Sequence, residues 1–296
     1  MNEKCPVCSC SNKIYKDDFS KILNLIGNTN SRVVKCKDCA LLYLSPYVSK
    51  ATIDKLYSKS YFTGVEGESG IPNSNADYEE EFARDRVSKY KASIELLLSI
   101  KPESRNILDV GAATGKFLST AEKYNIAVYG VEYSSYAAKQ AKIKYGYDFF
   151  IGDLLEYETQ DIRFDLIHLN HVFEHLIDPN VAIEKMSSLL NKNGKIYIEV
   201  PLQFSIIQII KFKFFGVVKE FDIFSLHHPV FYRPKTLRRV FSEHGYQCQH
   251  MVIFDRTRFP DGTKLEKLKN FTRFILSIFG QGVMIEAVFS KRGEEN

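Results

Sequence analysis

Residues 106–118 read NILDVGAATGKFL. Ile107, Leu108 and Val110 mark a short buried strand, yet Asp109 stands among them and a run of small residues follows. In open parallel sheets the ligand lies beyond the carboxyl ends of the strands, where the first loop turns into its helix. Gly111 and Gly115, with Ala112 and Ala113 between them, let backbone approach a bound molecule closely. Neither phosphate motif fits. A G-x-G-x-x-G fingerprint needs glycine where Ala113 and Lys116 stand, and a P-loop needs one more residue between its glycines.

Outward from this stretch, short apolar runs alternate with amphipathic segments, the pattern of βα units and a parallel sheet. Strands are expected at NILDV, AVYGVE, DFFIG, FDLIHLN and GKIYIEV. Between the first two, Lys116 to Tyr124 places Phe117, Leu118, Ala121 and Tyr124 on one helical face. Ser134 or Ser135 caps the next helix, which runs to about Tyr145. Asp178 and Pro179 start another, because proline at the first helical position lacks only an amide that has no partner there. Its end is expected at NKNG, with Gly194 in the left-handed conformation. Lys89 to Ile100 reads as a helix leading into the sheet. HMVIFD and VMIEAVFS read as a final antiparallel pair.

Two further acids close strands: Glu132 in YGVEYS and Asp153 in FFIGDLLE. A carboxylate after the second strand accepts both hydroxyls of a ribose. Together Asp109, Glu132 and Asp153 form a row of acceptors suited to a cationic or hydroxyl-rich ligand; the alternative is that they are helix caps following strands. From about Asn106 to Val200 the chain resembles the class I S-adenosylmethionine-dependent methyltransferases, through ILDVGAATGKF, the Glu132 strand, IGD, FDLIHLNHVFEHLIDP and NKNGKIYIEVP. The resemblance implies an α/β fold with a Rossmann-like seven-stranded sheet. It also implies that Asp109 and the loop of Gly111, Ala113 and Gly115 hold the methionine part, Glu132 the ribose, and Asp153 with Leu154 the adenine. Tyr133 and Asn170 join them as cofactor contacts. Ala113 departs from the family, many of whose members have glycine there.

Five of the six cysteines fall within the first 39 residues. CPVC and CKDC are two C-x-x-C knuckles, and four thiolates so spaced suit a closed, structural zinc site through Cys5, Cys8, Cys36 and Cys39. The alternatives are unliganded reduced thiols or a redox pair, the latter disfavoured because neither knuckle opens a helix in a βα unit. Cys10 is a spare ligand, and Cys248 reads as core. The run CPVC…CKDCALLYLSP followed by YF resembles the amino-terminal zinc-binding segment of methyltransferases that modify deoxysugars and bacterial surface saccharides. The expected organisation is a zinc-binding module at 1–45, then a linker, lid loop and leading helix at 46–100. A methyltransferase domain follows at 101–292, with an apolar insert at 202–224.

Methyl transfer from a sulfonium is an in-line displacement in which the acceptor loses a proton, so a base is sought among histidines. His171 follows the fourth strand, with Glu174 and His175 three and four residues on. His228 precedes FYRPKTL; in the sugar-modifying relatives that histidine is the favoured base, and His171 is the next candidate. A neighbouring His227 leaves the register open by one. Tyr61 and Phe62 are expected at a lid, and Tyr78 within reach of substrate. The insert carries Lys211, Lys213 and Lys219, which disfavours a bilayer span; it covers an acceptor pocket or a dimer face, or contacts a membrane surface peripherally.

The chain has 296 residues, 45% of them apolar, and a net charge of +4 from 40 basic and 36 acidic residues, too mild a balance to mark a nucleic-acid footprint. No basic-then-apolar leader opens it, which leads us to expect a cytoplasmic protein. The leading expectation is an S-adenosylmethionine-dependent methyltransferase acting on a sugar or sugar nucleotide in polysaccharide or glycan biosynthesis, using S-adenosylmethionine and zinc. The alternatives are an RNA methyltransferase docking through the zinc module, an enzyme of small aromatic or lipid-like hydroxyl compounds, and a catalytically idle cofactor-binding protein. Oligomeric state is not legible.

Overall fold

The computed structural model describes residues 4–11, 13–15, 31–47, 83–159, 161–204, 228–254 and 282–293. The expectations for Tyr61, Phe62, Tyr78 and His227, and for all of the insert beyond Phe204, lie outside the described residues.

Eleven strands are described: β1 Lys13–Tyr15, β2 Arg32–Cys36, β3 Leu42–Ser45, β4 Asn106–Val110, β5 Ala127–Glu132, β6 Phe150–Ile151, β7 Phe164–Asn170, β8 Leu190–Pro201, β9 Val230–Phe231, β10 Tyr246–Phe254 and β11 Met284–Lys291. The helices are α1 Ala83–Ile100, α2 Lys116–Ala121, α3 Ser135–Tyr145, α4 Pro179–Leu189 and α5 Pro234–Glu243. A seven-stranded sheet runs β10-β11-β8-β7-β4-β5-β6. The β4, β5, β6 and β7 pairings are parallel, as the βα rhythm predicts. A second, four-stranded sheet runs β1-β2-β3-β9, each pairing antiparallel.

The strand order reverses at β4, which lies between β5 and β7. The chain leaves β4 toward β5 and β6 on one side and returns to β7 on the other, so the Gly111–Gly115 loop sits at the topological switch point, where such sheets bind ligands.

Chain contacts divide the molecule into two compact units: 1–48 with 171–180 and 198–289, and 49–170 with 181–197 and 290–296. In the second of these, β4 is buried and apolar from Ile107 to Val110 apart from Asp109, as suits an interior parallel strand. Phe117 of α2 stacks on His168 at 3.7 Å between ring centroids, His168 stacks on Tyr197 at 4.8 Å, and Tyr90 of α1 meets Phe117 edge-on at 5.6 Å. Ser93 of α1 shares a 3.0 Å hydrogen bond with the Tyr197 hydroxyl, so the buried phenol is satisfied. The helix α3 is capped as expected: Ser134 Oγ accepts from the Ala137 amide, and Gly146 ends the helix in the left-handed conformation.

Three expectations are corrected. α4 ends at Leu189 and β8 begins at once, so Gly194 lies within a strand rather than capping a helix; Asn193 has the positive φ of 62°. Gly194 is needed for close approach instead, since a Cβ there would stand 2.7 Å from Leu190 Cδ2 and 3.1 Å from the Phe164 carbonyl oxygen. The third strand shrinks to Phe150–Ile151. Cys248 is only half-buried, its thiol donating to the His250 carbonyl at 3.2 Å.

In the first unit the core is aromatic. Phe241 of α5 stacks on Phe289 of β11 at 3.9 Å, meets Phe173 at 5.4 Å, and lies edge-on to Tyr246 at 5.9 Å. All four rings are buried. Phe241→Ala removes the ring that the other three share and leaves a cavity; equilibrium denaturation is expected to show a loss of about 3–5 kcal/mol.

Candidate functional site

Three backbone positions in the loop after β4 carry positive φ: Gly111 at 75°, Ala113 at 46° and Gly115 at 82°. Glycine takes this conformation freely and alanine does not, so Ala113 must be held there. What holds it is Glu132, at the tip of β5. Its Oε2 accepts the Ala113 amide at 2.7 Å and its Oε1 accepts the Ser134 amide at 2.7 Å, joining the loop after β4 to the turn after β5. A side chain at Gly115 would press on Tyr147 at 3.0 Å and on Ala141 and Phe149 at 3.3 Å. The helix α2 therefore begins at a glycine that conformation and packing both require.

Burial pushes the Glu132 carboxyl up from the ordinary range; the amides of Ser134 and Ala113 pull it down, and the charge of Asp109 raises it again. The Tyr133 amide also acts on this carboxylate, and the acceptor capacity that remains is available to a hydroxyl. The Glu132 carboxylate on this rim, with the charge of Asp109 close by, favours a ligand bearing positive charge and hydroxyls.

Asp109 is more deeply set than its position at a strand tip suggested. It is a register partner of His168 on β7, and its Oδ1 lies 2.7 Å from His168 Nδ1, both side chains being buried. Burial pushes its carboxyl up and the imidazole pulls it down. Sequence reading missed His168. The available signal was a polar residue in an apolar strand, FDLIHLN, at the height of Asp109 in the neighbouring strand.

Asp153 caps the short 3₁₀ turn Leu154–Glu156, its Oδ1 accepting the Leu155 amide at 2.9 Å. The helix-cap alternative thus holds for one oxygen of Asp153. Leu154 beside it is buried, and Tyr133 after Glu132 is exposed. Asn170 ends β7.

The other unit contains His171, His175 and His228. His171 has a φ of 57° and donates its amide to the Glu199 carbonyl at 2.9 Å. A 3₁₀ turn, Phe173–His175, follows, so His171 Nδ1 and Glu174 Oε1 meet at 3.3 Å, on the same side as expected. His228 Nε2 lies 3.8 Å from that oxygen, its Nδ1 lies 2.8 Å from Gln203 Oε1, and its ring packs edge-on to His175 at 4.6 Å. The structure thus gathers His171, Glu174, His175 and His228 within this unit.

The four cysteines also converge there. Cys5 and Cys39 sulfurs lie 3.4 Å apart, Cys8 and Cys36 3.5 Å apart, and all four lie within 4.8 Å of one another. A zinc ion with bonds of about 2.3 Å holds its sulfurs about 3.8 Å apart, so the donor set fits. The two knuckles repeat one design. Cys5 donates to the Cys10 carbonyl and Cys36 to the Leu41 carbonyl; Ser9 donates back to Cys5, and Ala40 back to Cys36. Ser9 and Ala40 both take positive φ, at 55° and 63°. Cys10 offers a further grouping with Cys36 and Asp38.

This segment is stitched into its unit. The Asn180 side-chain amide donates to the Pro6 and Val7 carbonyls at 2.9 and 3.1 Å, and Arg239 donates to the Asp38 carbonyl at 3.1 Å. The pairing of β3 with β9 sets Tyr43 against Val230 and Leu42 against Phe231, and Leu44 donates to the Pro229 carbonyl at 2.9 Å. His228 therefore stands two residues ahead of a strand that the cysteine-bearing sheet holds.

The methyltransferase-domain profile matches residues 82–251, more than half of the chain. An uncharacterized methyltransferase of Bacillus cereus strain 03BB102 is 40% identical over 95 residues, covering 31% of this chain and 44% of that protein. The chain thus matches less than half the length of the curated relatives. Among solved structures, a SAM-dependent methyltransferase from Archaeoglobus fulgidus has a TM-score of 0.51 at 22% identity, over 73% of this chain and 98% of that one. The plantazolicin methyltransferase BpumL in complex with SAH has a TM-score of 0.52 at 16% identity, over 82% and 96%. These structures share the fold, and the profile places the family: the chain belongs to the methyltransferase-domain family.

Proposed function

We propose that the protein transfers the methyl group of S-adenosylmethionine to a hydroxyl of a sugar or sugar nucleotide in the assembly of a polysaccharide or glycan. The observation that carries the methyl-donor part is the Glu132 carboxylate, fixed by the Ala113 and Ser134 amides beside a left-handed loop at the switch point. Its remaining lone pairs suit a ribose diol. In the same unit Asp109 and Asp153 supply the further acceptors, and Leu154, Tyr133 and Asn170 complete the cofactor contacts. The saccharide part rests on the resemblance of the cysteine segment to that of sugar-modifying methyltransferases.

In this reading His228 takes the proton from the acceptor hydroxyl as its oxygen displaces the sulfonium, and His171 is the second candidate. The products are the methyl ether, S-adenosylhomocysteine and a proton. Cys5, Cys8, Cys36 and Cys39 hold a structural zinc, which supplies folding energy to the sheet that ends on β9. No helix among the described residues is long and apolar enough to cross a membrane, and the reading places the work in the cytoplasm.

Incubation with methyl-labelled S-adenosylmethionine and a panel of nucleotide sugars, followed by mass measurement, is expected to show one added methyl group on a sugar. Transfer to structured RNA and to no sugar would replace the substrate and keep the chemistry. In calorimetry, Glu132→Ala is expected to weaken S-adenosylhomocysteine binding by about 10- to 100-fold, the cost of charge-assisted bonds to two hydroxyls; unchanged affinity would remove the ribose role. Elemental analysis is expected to show a zinc equivalent held by the knuckles that is lost in Cys36→Ser, together with a lower melting temperature.

A further inference from the structure

Glu174 has no assigned task in that reading, and its placement is costly. Its side chain is 1% exposed, and neither carboxylate oxygen has a hydrogen-bond partner among the described residues. A buried carboxylate without such bonds costs several kcal/mol unless a cation compensates it.

Imidazoles surround it. Glu174, His175 and His228 each bring one ligand atom, and the three atoms lie within 4.8 Å of one another. The tautomer of His228 sharpens the point. Its Nδ1 faces Gln203 Oε1 at 2.8 Å, and an amide oxygen only accepts, so Nδ1 carries the proton. In the neutral ring Nε2 then presents a lone pair, and it faces the Glu174 oxygen 3.8 Å away. That distance is too long for a hydrogen bond. A lone pair and a carboxylate so placed are held together by a cation, either a proton on Nε2 or a metal ion between them. A histidine that donates one ring N–H to a buried oxygen while its other nitrogen faces the ion is also the usual arrangement of a metal ligand. Bonds of about 2.1 Å set tetrahedral ligands about 3.4 Å apart, so small side-chain rotations draw the three atoms onto an ion.

We propose that Glu174, His175 and His228 bind a divalent first-row transition-metal ion, separate from the zinc of the cysteine knuckles. Two imidazoles and one carboxylate suit such an ion better than calcium or magnesium. Three protein ligands leave coordination positions open, and a hydroxyl bound there loses its proton more easily. This last role rests on the methyl-transfer reading; in it His228 is a ligand, and accepting the proton falls to His171, whose side chain is 41% exposed.

The test titrates zinc-loaded full-length protein, freed of excess metal, with Mn²⁺ while electron paramagnetic resonance follows the free ion. In a parallel titration Co²⁺ is followed by its visible absorption. Wild type is expected to take up one further equivalent of either ion at about 0.1 mM or below. Glu174→Gln and His228→Gln are expected to weaken that uptake at least tenfold while keeping the knuckle zinc and the melting temperature of the metal-free second site. If wild type takes up neither ion at millimolar concentration, or if both variants bind as wild type does, the proposal is wrong. A proton shared between Glu174 and His228 would give the first of these results. Uptake lost in the variants, with no methyl transfer to any acceptor by wild type, would keep the metal site and remove the proposed function. Full methyl transfer by Glu174→Gln without the ion would remove the ion's role in the reaction.

Discussion

Past the ends of β4 and β5 the amides of Ala113 and Ser134 find their acceptor in one side chain, the Glu132 carboxylate, which serves two turns at once. By accepting from Ala113 and from Ser134 it fixes the loop after β4 and the start of α3 in one rigid arrangement. The left-handed residues at 111, 113 and 115 then have a defined path. An alanine in such a conformation costs on the order of 1 kcal/mol, which a short charge-assisted bond offsets. The geometry that welcomes a ligand is thus set by the protein alone, before any ligand arrives.

Beneath this rim lies a second polar pair, Asp109 with His168, walled by the rings of Phe117 and Tyr197. The imidazole partner explains why the buried run Ile107 to Val110 tolerates a carboxylate. The pair forms because the parallel register of β4 and β7 sets the two residues side by side. Asp109 therefore does structural work inside the sheet as well as standing at the base of the loop.

Much of this was legible beforehand, and the reasons differ by element. The alternation of apolar runs and amphipathic segments located β4, β5 and β7 to the residue, because each is flanked by a loop with its own turn chemistry. Ser134 and Pro179 were readable because capping is local. The end of α4 was misread because NKNG satisfies a capping pattern that the sheet overrides, β8 extending back to Leu190. The partnership of Asp109 with His168 and the gathering of Glu174, His175 and His228 depend on register and on distant segments, which periodicity does not encode. The cysteine spacing announced a cluster of four thiols, but not that their sheet would take its last strand from beyond residue 229.

That last strand has a consequence for how the molecule is made. Since β3 pairs with β9 across nearly two hundred intervening residues, the amino-terminal knuckles emerge from the ribosome long before the strand that completes their sheet. Loop closure over such a span is entropically slow. Early metal capture would let the newborn knuckles wait in folded form, their open edge filled only once β9 has been made. His228 would then be positioned only after β3 and β9, so far apart in the chain, have met.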